Sequence, residues 1–392
     1  MTQLRPHQQR ALDAMVANSK GQIIVPTGGG KTLIAIKDAL RQFESETPKT
    51  IVVVAPRILL AEQLSSEFLE HIEQKIGVLH VHSGETHHQK TTKSGEIYDF
   101  AVCNWKRHRL IFTTYHSLHR VQESGIKIDT IYFDEAHNSV QRNFNDPTRF
   151  YATLDSCRCY FFTATPKHSL VDGKSGMNDI GFYGKVICSV PAPELVEKGY
   201  ILPPVIKLQK FEVLKKNQLT VEVDCENLLH TIDDRMLDKI LICAKSTKQI
   251  TGLVSETHFC NQLHMRGYNW MYITAKTGAV INGSKVNREE FFNTLNEWGK
   301  GDKRFIVLHH SILSEGINVK GLEGVIFMRS MDYIGISQTI GRVIRKGGPE
   351  KTHGVISIPI YSKVGISTAR KVEAVIDTVF EKGEPAISMV RR

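Results

Sequence analysis

The sequence predicts an α/β protein with two domains, each built on a mostly parallel sheet with helices on both faces. Short apolar strand candidates alternate with helical segments in both halves of the chain, and a proline-rich stretch separates the halves. Such alternation is typical of right-handed βαβ crossovers, and 392 residues are enough for two domains of ordinary size.

The first half contains short runs of apolar and β-branched residues, with helical patterns at Leu33–Phe43 and Leu59–Ile72. Runs of this kind are typical of strands buried inside a parallel sheet. The strand candidates are residues 22–25, 51–55, 78–82, 110–114, 130–133 and 159–163.

The second half repeats the pattern less regularly. Its strand candidates are residues 204–208, 250–254, 270–273, 305–308, 324–328 and 353–357, and its helical patterns are Leu228–Ala244, Phe259–Arg266 and Arg288–Trp298. Pro191, Pro193, Pro203 and Pro204 favour a hinge between the halves. We therefore expect a first domain over residues 1–190, a hinge over 191–203 and a second domain over 204–392.

Composition favours a soluble protein with a polyanionic partner. The formal net charge is +9 and the pI is near 9.1, an excess that suits nucleic acid. The apolar runs are too short to span a membrane, and the N-terminal residues lack the apolar stretch of a secretory signal. The seven cysteines contain no CxxC pair, so we expect free thiols and a cytoplasmic location rather than disulfides or a zinc site.

Residues 26–32 read Pro-Thr-Gly-Gly-Gly-Lys-Thr, between a strand candidate and a helical segment. This is the context of a phosphate-binding loop, in which glycines let backbone N–H groups face phosphates at a helix N-terminus. In this pattern Lys31 reaches the β- and γ-phosphates and the Thr32 hydroxyl ligates Mg²⁺. Val25 stands where the strict pattern has Gly. The nucleotide-binding candidates are Thr27, Gly28, Gly29, Gly30, Lys31 and Thr32.

A second motif, Asp134-Glu135-Ala136-His137, closes another apolar run. At the carboxyl end of a strand, Asp134 can hold Mg²⁺ while Glu135 orients and deprotonates an attacking water. A glycine-rich turn or an acidic pair alone is often only structural. Both motifs together, in this order and each after a strand, predict hydrolysis of a nucleoside triphosphate.

Further segments stand in a fixed order with these two. They are Arg5-Pro6-His7-Gln8, Ala55-Pro56-Arg57, Thr113-Thr114-Tyr115, Thr163-Ala164-Thr165-Pro166, Ser314-Glu315-Gly316-Ile317-Asn318 and Gln338-Thr339-Ile340-Gly341-Arg342-Val343-Ile344-Arg345. As a set, they resemble the successive motifs of superfamily 2 helicases over nearly the whole chain. The resemblance is to the DEAH-type DNA helicases and translocases, including those of phages and restriction systems, more than to the RNA-remodelling DEAD-box group.

The resemblance implies two tandem RecA-like (P-loop NTPase) domains with ATP and Mg²⁺ bound between them. It gives Arg345 the role of an arginine finger, with Arg342 three residues before it on the same helix turn as a phosphate-facing companion. Gln8 is similar to the glutamine that reads the adenine edge. Gly316 and Asn318 are similar to the contact of the second domain with the nucleotide, where the family usually has Asp at the position of Asn318.

The resemblance also assigns residues to coupling and to a nucleic-acid track. The coupling residues would be His137, Thr163, Thr165 and Gln338. The nucleic-acid contacts would come from Pro56, Arg57, Thr113, Thr114, Ser255, His310 and Ser311. Such groups suit phosphate oxygens, which carry no base sequence. The family usually has Thr near the position of His310.

The function implied is an ATP-dependent helicase or translocase that works as a monomer, on DNA more than on RNA. An RNA helicase is the alternative among enzymes, because the core motifs do not settle the sugar. The alternative outside enzymes is a nucleic-acid-binding motor that has lost catalysis, with the departures at Val25, Asn318 and His310 as its motivation.

Residues 80–109 form an unusual stretch that is rich in histidine, lysine and arginine. His80 and His82 share one face of a strand candidate, and His87 and His88 follow in a loop. A metal site is conceivable, but the spacing matches no established ligand pattern. We therefore expect a solvated basic loop near nucleic acid, and we expect Trp105 to pack rather than to stack on a base.

Overall fold

The computed structural model describes residues 3–213, 218–274, 277–310, 319, 321–347 and 351–390. The chain divides into two compact units. Unit 1 comprises Met1–Pro191 with Pro385–Arg392, and unit 2 comprises Ala192–Glu384. Each unit is an α/β layer structure around a mostly parallel sheet, so the predicted fold class of two tandem RecA-like domains is confirmed.

Unit 1 is built on a sheet in which every described pair of neighbouring strands is parallel. Its strands are β1 (Lys20–Ile24), β2 (Thr50–Ala55), β3 (Gly77–Val81), β4 (Arg109–Thr114), β5 (Thr130–Phe133), β6 (Arg158–Thr163) and β8 (Val186–Ser189), with a short β7 (Lys167–His168) outside the sheet. Their spatial order is β3-β4-β2-β5-β6-β1-β8. The carboxyl ends of all these strands therefore meet at one edge.

Helices connect the strands of unit 1 and cover its sheet. They are α1 (Pro6–Ala17), α2 (Lys31–Gln42), α3 (Ile58–Leu69), α4 (Ser94–Cys103), α5 (Leu118–Glu123), α6 (Arg142–Ala152) and α7 (Ile180–Tyr183), with a 3-10 turn at Ala136–Val140. The core is apolar and aromatic, and the stacked rings of Phe133 and Phe161 lie 4.8 Å apart at its centre. This rigid core fixes the strand ends that carry the site.

Unit 2 contains a larger sheet with an antiparallel edge. Its strands are β9 (Pro204–Lys210), β10 (Lys239–Cys243), β11 (Asn269–Thr274), β12 (Gly278–Ile281), β13 (Ser284–Val286), β14 (Phe305–His309), β15 (Gly324–Phe327) and β16 (Gly354–Ile360). The order is β13-β12-β11-β14-β10-β15-β16-β9, and only the pairs β11–β12 and β12–β13 among these described strands are antiparallel. Its helices are α8 (Ala192–Glu197), α9 (Thr220–Arg235), α10 (Thr247–Ser255), α11 (Phe259–Met265), α12 (Arg288–Lys300), α13 (Tyr333–Val343) and α14 (Lys363–Ile376), followed by a π-helical turn at Asp377–Glu381.

Most strand candidates match strands within one or two residues, but two predictions in unit 2 were wrong. Residues 250–254 lie in α10, where the Ser246 side chain accepts a hydrogen bond from Gln249 N at 3.1 Å and so caps the helix. The helix predicted over Leu228–Ala244 ends at Arg235, and its last residues form β10. Because β10 lies between β14 and β15 and is buried on both faces, its apolar run has no alternation that distinguishes strand from helix.

The division between the units differs from the expected one at both ends of the second domain. Residues 192–203, expected as part of a hinge, include α8 and belong to unit 2. At the other end the chain returns to unit 1, where β17 (Ser388–Met389) pairs with β7 in parallel. The hinge itself stays a prediction.

The structure also bears on expectations drawn from composition. The described structure contains no disulfide bond between cysteines. Within the described ranges, no helix combines the length and the apolar character that crossing a bilayer requires. Trp105 is 66% exposed, with Lys106 Nζ 4.9 Å from its ring centre, so the expectation that it packs in the interior was wrong.

Candidate nucleotide site

The phosphate loop joins β1 to α2 through two glycines with left-handed backbones. Gly28 has φ 89° and Gly30, which precedes the first residue of α2, has φ 82°. A Cβ on Gly30 would also lie 2.3 Å from Gln8 Nε2. The left-handed conformation therefore favours glycine at residue 30, and the chain reaches the start of α2 with its backbone N–H groups available for an anion.

The helix before β1 holds this loop in place. His7 Nε2 lies 2.8 Å from Gly29 O, and Gln8 Nε2 donates to the carbonyls of Gly29 and Gly30 at 3.4 and 3.3 Å. Gln8 Oε1 accepts from Arg5 N at 2.9 Å. The Gln8 amide thus contacts the loop, and its role as a reader of adenine stays a prediction. The loop contact of His7 was not predicted, although its place in Arg5-Pro6-His7-Gln8 pointed to it.

Lys31 begins α2, and its Nζ lies 3.4 Å from Val25 O. Val25 itself is fully buried, and its N–H donates to Thr163 O at 3.1 Å. The departure from Gly at residue 25 is thus accommodated as a core residue at the end of a strand. Thr27 Oγ1 is buried and has no hydrogen-bond partner among the described residues, which leaves a hydroxyl available beside the loop.

Asp134 and Glu135 follow β5, and Asp134 N donates to Val54 O at 2.9 Å. Burial and the neighbouring Glu135 charge raise the pKa of Asp134 to about 7, against the opposing charge of Lys31. Glu135 is 8% exposed, and its Oε2 lacks a hydrogen-bond partner in the described structure. Two adjacent carboxyls, one of them with an unused buried oxygen, suit a divalent cation, which Asp134 and Thr32 would hold.

Glu135 has a left-handed backbone, with φ 45° and ψ 53°. This conformation costs a non-glycine residue about 1–2 kcal/mol. It ends β5 abruptly and starts the 3-10 turn at Ala136–Val140. The turn brings His137 back toward β6, where it contacts Thr163.

His137 connects this motif with the end of β6. Its Nδ1 lies 3.1 Å from Thr163 Oγ1 and 3.6 Å from Glu135 Oε2, and its Nε2 lies 3.3 Å from Asn138 Nδ2. Asn138 Nδ2 also donates to Glu135 O, so it is the amide nitrogen that faces the ring. The ring of His137 therefore faces Thr163 with Nδ1 and Asn138 with Nε2. Thr163 Oγ1 also accepts from Thr165 N at 3.0 Å, so the structure brings these three predicted coupling residues together.

The predicted nucleic-acid residues of unit 1 lie at the end of β4 or directly after β2, its neighbour in the sheet. Arg57 is exposed and immediately precedes α3, beside Pro56. Ala55 pairs with Thr114, so the two strand ends are neighbours. The Thr113 hydroxyl is buried and donates to Val81 O at 3.0 Å, so it is engaged inside the sheet rather than offered to a phosphate.

In unit 2 the predicted residues Gln338 and Arg342 lie on α13, at 5% and 3% exposure. We expected Arg342 and Arg345 to share one helix turn. Instead, α13 ends at Val343, and Arg345 lies beyond the helix. At the C-terminal end of this helix, Lys351 Nζ donates hydrogen bonds to Val343 O and Arg345 O at 2.5 and 2.7 Å. Three predicted residues lie outside the described residues, namely Ser311, Gly316 and Asn318.

Two further predicted residues have local environments that the sequence did not indicate. The Ser255 hydroxyl donates to Thr251 O in its own helix at 2.7 Å. His310 follows β14, and burial together with the charge of Arg329 lowers its pKa. The buried His309 is the last residue of β14, and Arg329 stands two residues after β15; neither was among the predicted residues.

Comparison with known proteins defines the class of this chain. Residues 1–168 match the family described as the type III restriction enzyme res subunit, and residues 224–347 match the helicase conserved C-terminal domain. With the RecA-like fold of both units and the ordered motifs, the chain is a superfamily 2 helicase-like protein.

Individual relatives are distant. "Putative helicase 22" of Sulfolobus islandicus filamentous virus is 24% identical over 92% of this chain, and the DNA 3'-5' translocase XPB2 of Sulfurisphaera tokodaii is 26% identical over 55%. The chain spans 64% and 42% of the lengths of these two relatives. A solved structure of the ATP-dependent type ISP restriction-modification enzyme LlaBIII bound to DNA has the same fold, with a TM-score of 0.74 and 19% identity, over 99% of this chain and 31% of that one.

Proposed function

We propose that this chain is an ATP-dependent DNA helicase or translocase, in which hydrolysis of Mg²⁺-ATP is coupled to movement on or unwinding of nucleic acid. The observation that carries the proposal is the convergence of the phosphate loop, Asp134, Glu135 and the His137–Thr163 contact at one edge of the unit 1 sheet. Those are the groups that phosphoryl transfer to water requires, together with a link toward a second site.

Each residue of this edge has a role that its surroundings support. Lys31 supplies a positive charge to the phosphates, and the N-terminus of α2 supplies N–H donors. Asp134 and Thr32 hold the metal ion, which neutralises charge on the phosphates when bound. Glu135 accepts the proton of the attacking water, because its buried Oε2 has no hydrogen bond among the described residues to satisfy it otherwise.

Two arginines of unit 2 complete the chemistry. We assign to Arg342 and Arg345 the stabilisation of charge on the γ-phosphate, a contribution that can be worth about 10³–10⁵ in rate. Lys351 fixes the backbone between them by binding the carbonyls of Val343 and Arg345. Turnover would then require both units of the chain.

DNA is the proposed track. The relatives named above are a DNA translocase and a restriction enzyme bound to DNA, and the +9 charge of this chain suits a polyanion. Arg57 and the backbone that follows β2 and β4 offer contacts to phosphates without base specificity. The RNA helicase is kept as the alternative, since phosphate contacts alone do not distinguish the sugar.

The test is phosphate release by the wild-type protein alone, with single-stranded DNA and with RNA of matched sequence. Lys31→Ala and Glu135→Gln should lower turnover by about 10²–10⁴-fold while DNA binding persists. Lys37→Ala, on the same helix as Lys31, is the matched control and should hydrolyse ATP like the wild type.

The outcomes separate the alternatives. Stimulation by DNA but not by RNA supports a DNA motor, and strand-displacement assays then separate unwinding from translocation. Equal or stronger stimulation by RNA would favour the RNA helicase. A wild-type protein that binds DNA and ATP but releases no phosphate would be the silent motor, and the proposed catalytic roles would be wrong.

A further inference from the structure

A compact group of metal-binding side chains lies outside the nucleotide site. Glu62 lies on α3 and His80 on β3. His82 is the first residue after β3. Both imidazoles are buried, at 0% and 1% exposure, whereas the Glu62 side chain is 26% exposed. These histidines are therefore not part of a solvated loop, and the group has one side open to solvent.

The three potential ligand atoms converge on one point. Glu62 Oε1 lies 2.9 Å from His80 Nδ1 and 3.0 Å from His82 Nε2, and the two nitrogens lie 3.2 Å apart. Ligands bound to one ion at about 2.0–2.1 Å are themselves about 3.0–3.4 Å apart in octahedral or tetrahedral geometry. The triangle formed by Glu62, His80 and His82 therefore fits one face of a coordination sphere without rearrangement of the three atoms.

Neighbouring side chains support this geometry. Ser65 Oγ lies 2.9 Å from His80 Nε2, so a His80 that carries its proton on Nε2 leaves the Nδ1 lone pair for an ion. Thr86 Oγ1 donates to Glu62 Oε2 at 3.0 Å and orients the carboxylate.

We propose that Glu62, His80 and His82 bind one divalent transition-metal ion of the Zn²⁺ type. Two imidazole nitrogens and one carboxylate oxygen are ligands that suit Zn²⁺ and its neighbours, in contrast to the all-oxygen set that Mg²⁺ and Ca²⁺ prefer. The remaining positions of the ion would face the partly exposed side of Glu62, where water can complete the coordination.

The site would fasten the loop after β3 to the start of α3. Gly84 approaches Ile58 so closely that a Cβ on Gly84 would lie 2.4 Å from Ile58 Cγ2. Ile58 is the first residue of α3 and follows Arg57, a proposed contact to nucleic acid. An ion that joins Glu62 of α3 to His80 and His82 would therefore stabilise the segment that carries Arg57.

Gly84 also gives the site a recognisable response to loading. Gly84 N donates to His82 Nδ1 at 3.2 Å, which places the proton of the neutral ring on Nε2, facing Glu62. If a metal ion binds His82 Nε2, the proton of the neutral ring moves to Nδ1. Two N–H groups, those of His82 Nδ1 and Gly84, then face each other. Loading therefore breaks this long hydrogen bond and changes the environment of the Gly84 amide.

The test is titration of chelator-treated full-length protein with Zn²⁺, followed by calorimetry and by the amide resonance of Gly84. The variants are His82→Ala and Glu62→Gln, and the matched control is His87→Ala, an exposed histidine of the same loop. We expect wild type and H87A to bind one more equivalent of Zn²⁺ than H82A binds. We expect E62Q to bind this equivalent with an affinity at least about 10–100-fold lower than that of wild type. The Gly84 resonance should shift in step with this equivalent.

Two results would overturn the proposal. One is the same Zn²⁺ stoichiometry and affinity in all four proteins, which would place the ion at other histidines or at Asp134. The other is Zn²⁺ binding by wild type that leaves the Gly84 resonance unchanged. If H82A does not fold, the Zn²⁺ affinity of E62Q and the Gly84 resonance of the wild type still test the proposal. None of these readouts depends on ATP hydrolysis, so failure here leaves the proposed motor function untouched.

Discussion

His137 Nδ1 lies 3.1 Å from Thr163 Oγ1, although 26 residues separate them in the chain. The contact joins the turn after β5 to the end of β6, its neighbour in the sheet. Thr163 O in turn accepts a hydrogen bond from Val25 N, at the start of the phosphate loop. One threonine thus contacts both nucleotide motifs, and a change at either motif reaches it through a single hydrogen bond.

Thr163→Val should weaken coupling between nucleic acid and hydrolysis. The substitution keeps the shape of the side chain but removes the hydroxyl that contacts His137 Nδ1 and Thr165 N. We expect a smaller ratio of DNA-stimulated to unstimulated turnover, together with a loss of about 1–3 kcal/mol of stability from the unpaired groups. The double variant with His137→Ala should show non-additive effects, and strictly additive effects would contradict a functional link.

Arg57→Ala should weaken binding of single-stranded DNA equally for all sequences. If about 5–6 phosphates are contacted, the log–log slope of affinity against salt is about −4, and loss of one contact makes it less negative by about 0.7. Fluorescence anisotropy over a salt series measures the slope. Arg120→Ala is the control, because Arg120 is exposed but paired with Glu123 at 3.1 Å. An unchanged slope in R57A would remove Arg57 from the track.

Lys351→Met should destabilise the end of α13. Lys351 Nζ donates to Leu322 O and Val343 O at 2.5 Å each and to Arg345 O at 2.7 Å. Removing the cation leaves carbonyls without partners, at a cost of about 1–3 kcal/mol each where they stay buried. Urea unfolding should show the loss, and turnover should fall because the backbone of Arg345 is no longer held. Lys346→Met, which is exposed, should change neither; equal effects of both variants would argue against this role.

Stability should decrease as the pH falls below about 6.5, in part because of His309. The pKa of this histidine is held well below its ordinary value by burial and by the charges of Arg342, Arg329 and His310, and Cys243 Sγ lies 3.2 Å from its Nε2. The unfolded chain takes up a proton below about pH 6.5 that the folded state refuses, so stability falls by up to about 1.4 kcal/mol per pH unit.

The control for this pH effect is a comparison of two variants. In His309→Gln the loss of stability between pH 7 and pH 5 should be smaller than in wild type, even though the variant is less stable at pH 7. His264→Gln, at an exposed position of the same unit, should keep the wild-type dependence. Parallel curves for wild type and H309Q would show that His309 is not the titrating group.

The parts of the fold that sequence predicts well are those governed by local patterns. The strands β1, β5 and β6, which end at Ile24, Phe133 and Thr163, are short apolar runs bounded by motif residues, and their parallel arrangement follows from the crossovers between them. That Lys31, Asp134 and Glu135 approach the same sheet edge follows from the same rule. The order of the motifs therefore predicted where these three residues lie in the fold, and their roles stay predictions.

What sequence could not indicate depends on contacts between distant residues. Glu62 and His80 are 18 residues apart and meet only because α3 packs on β4, the neighbour of β3, so neither stretch alone looks like a ligand set. The carbonyls of Val343 and Arg345, at and beyond the end of α13, are bound by Lys351, which follows at a distance that no capping pattern describes. Likewise, β10 could not be separated from α9 by periodicity, since its burial comes from strands that are remote in the chain.

The pairing of β17 with β7 makes unit 2 an insertion within unit 1, because the chain leaves unit 1 at Pro191 and re-enters it at Pro385. A fragment that ends at the proline-rich segment would therefore lack a strand of its own unit, and a fragment that begins there would carry a strand belonging elsewhere. If the backbone were cleaved once between residues 191 and 203, β17 could still pair with β7. To study either unit alone, one would excise residues 192–384 and join the two flanking pieces with a short linker, rather than cut the chain in half.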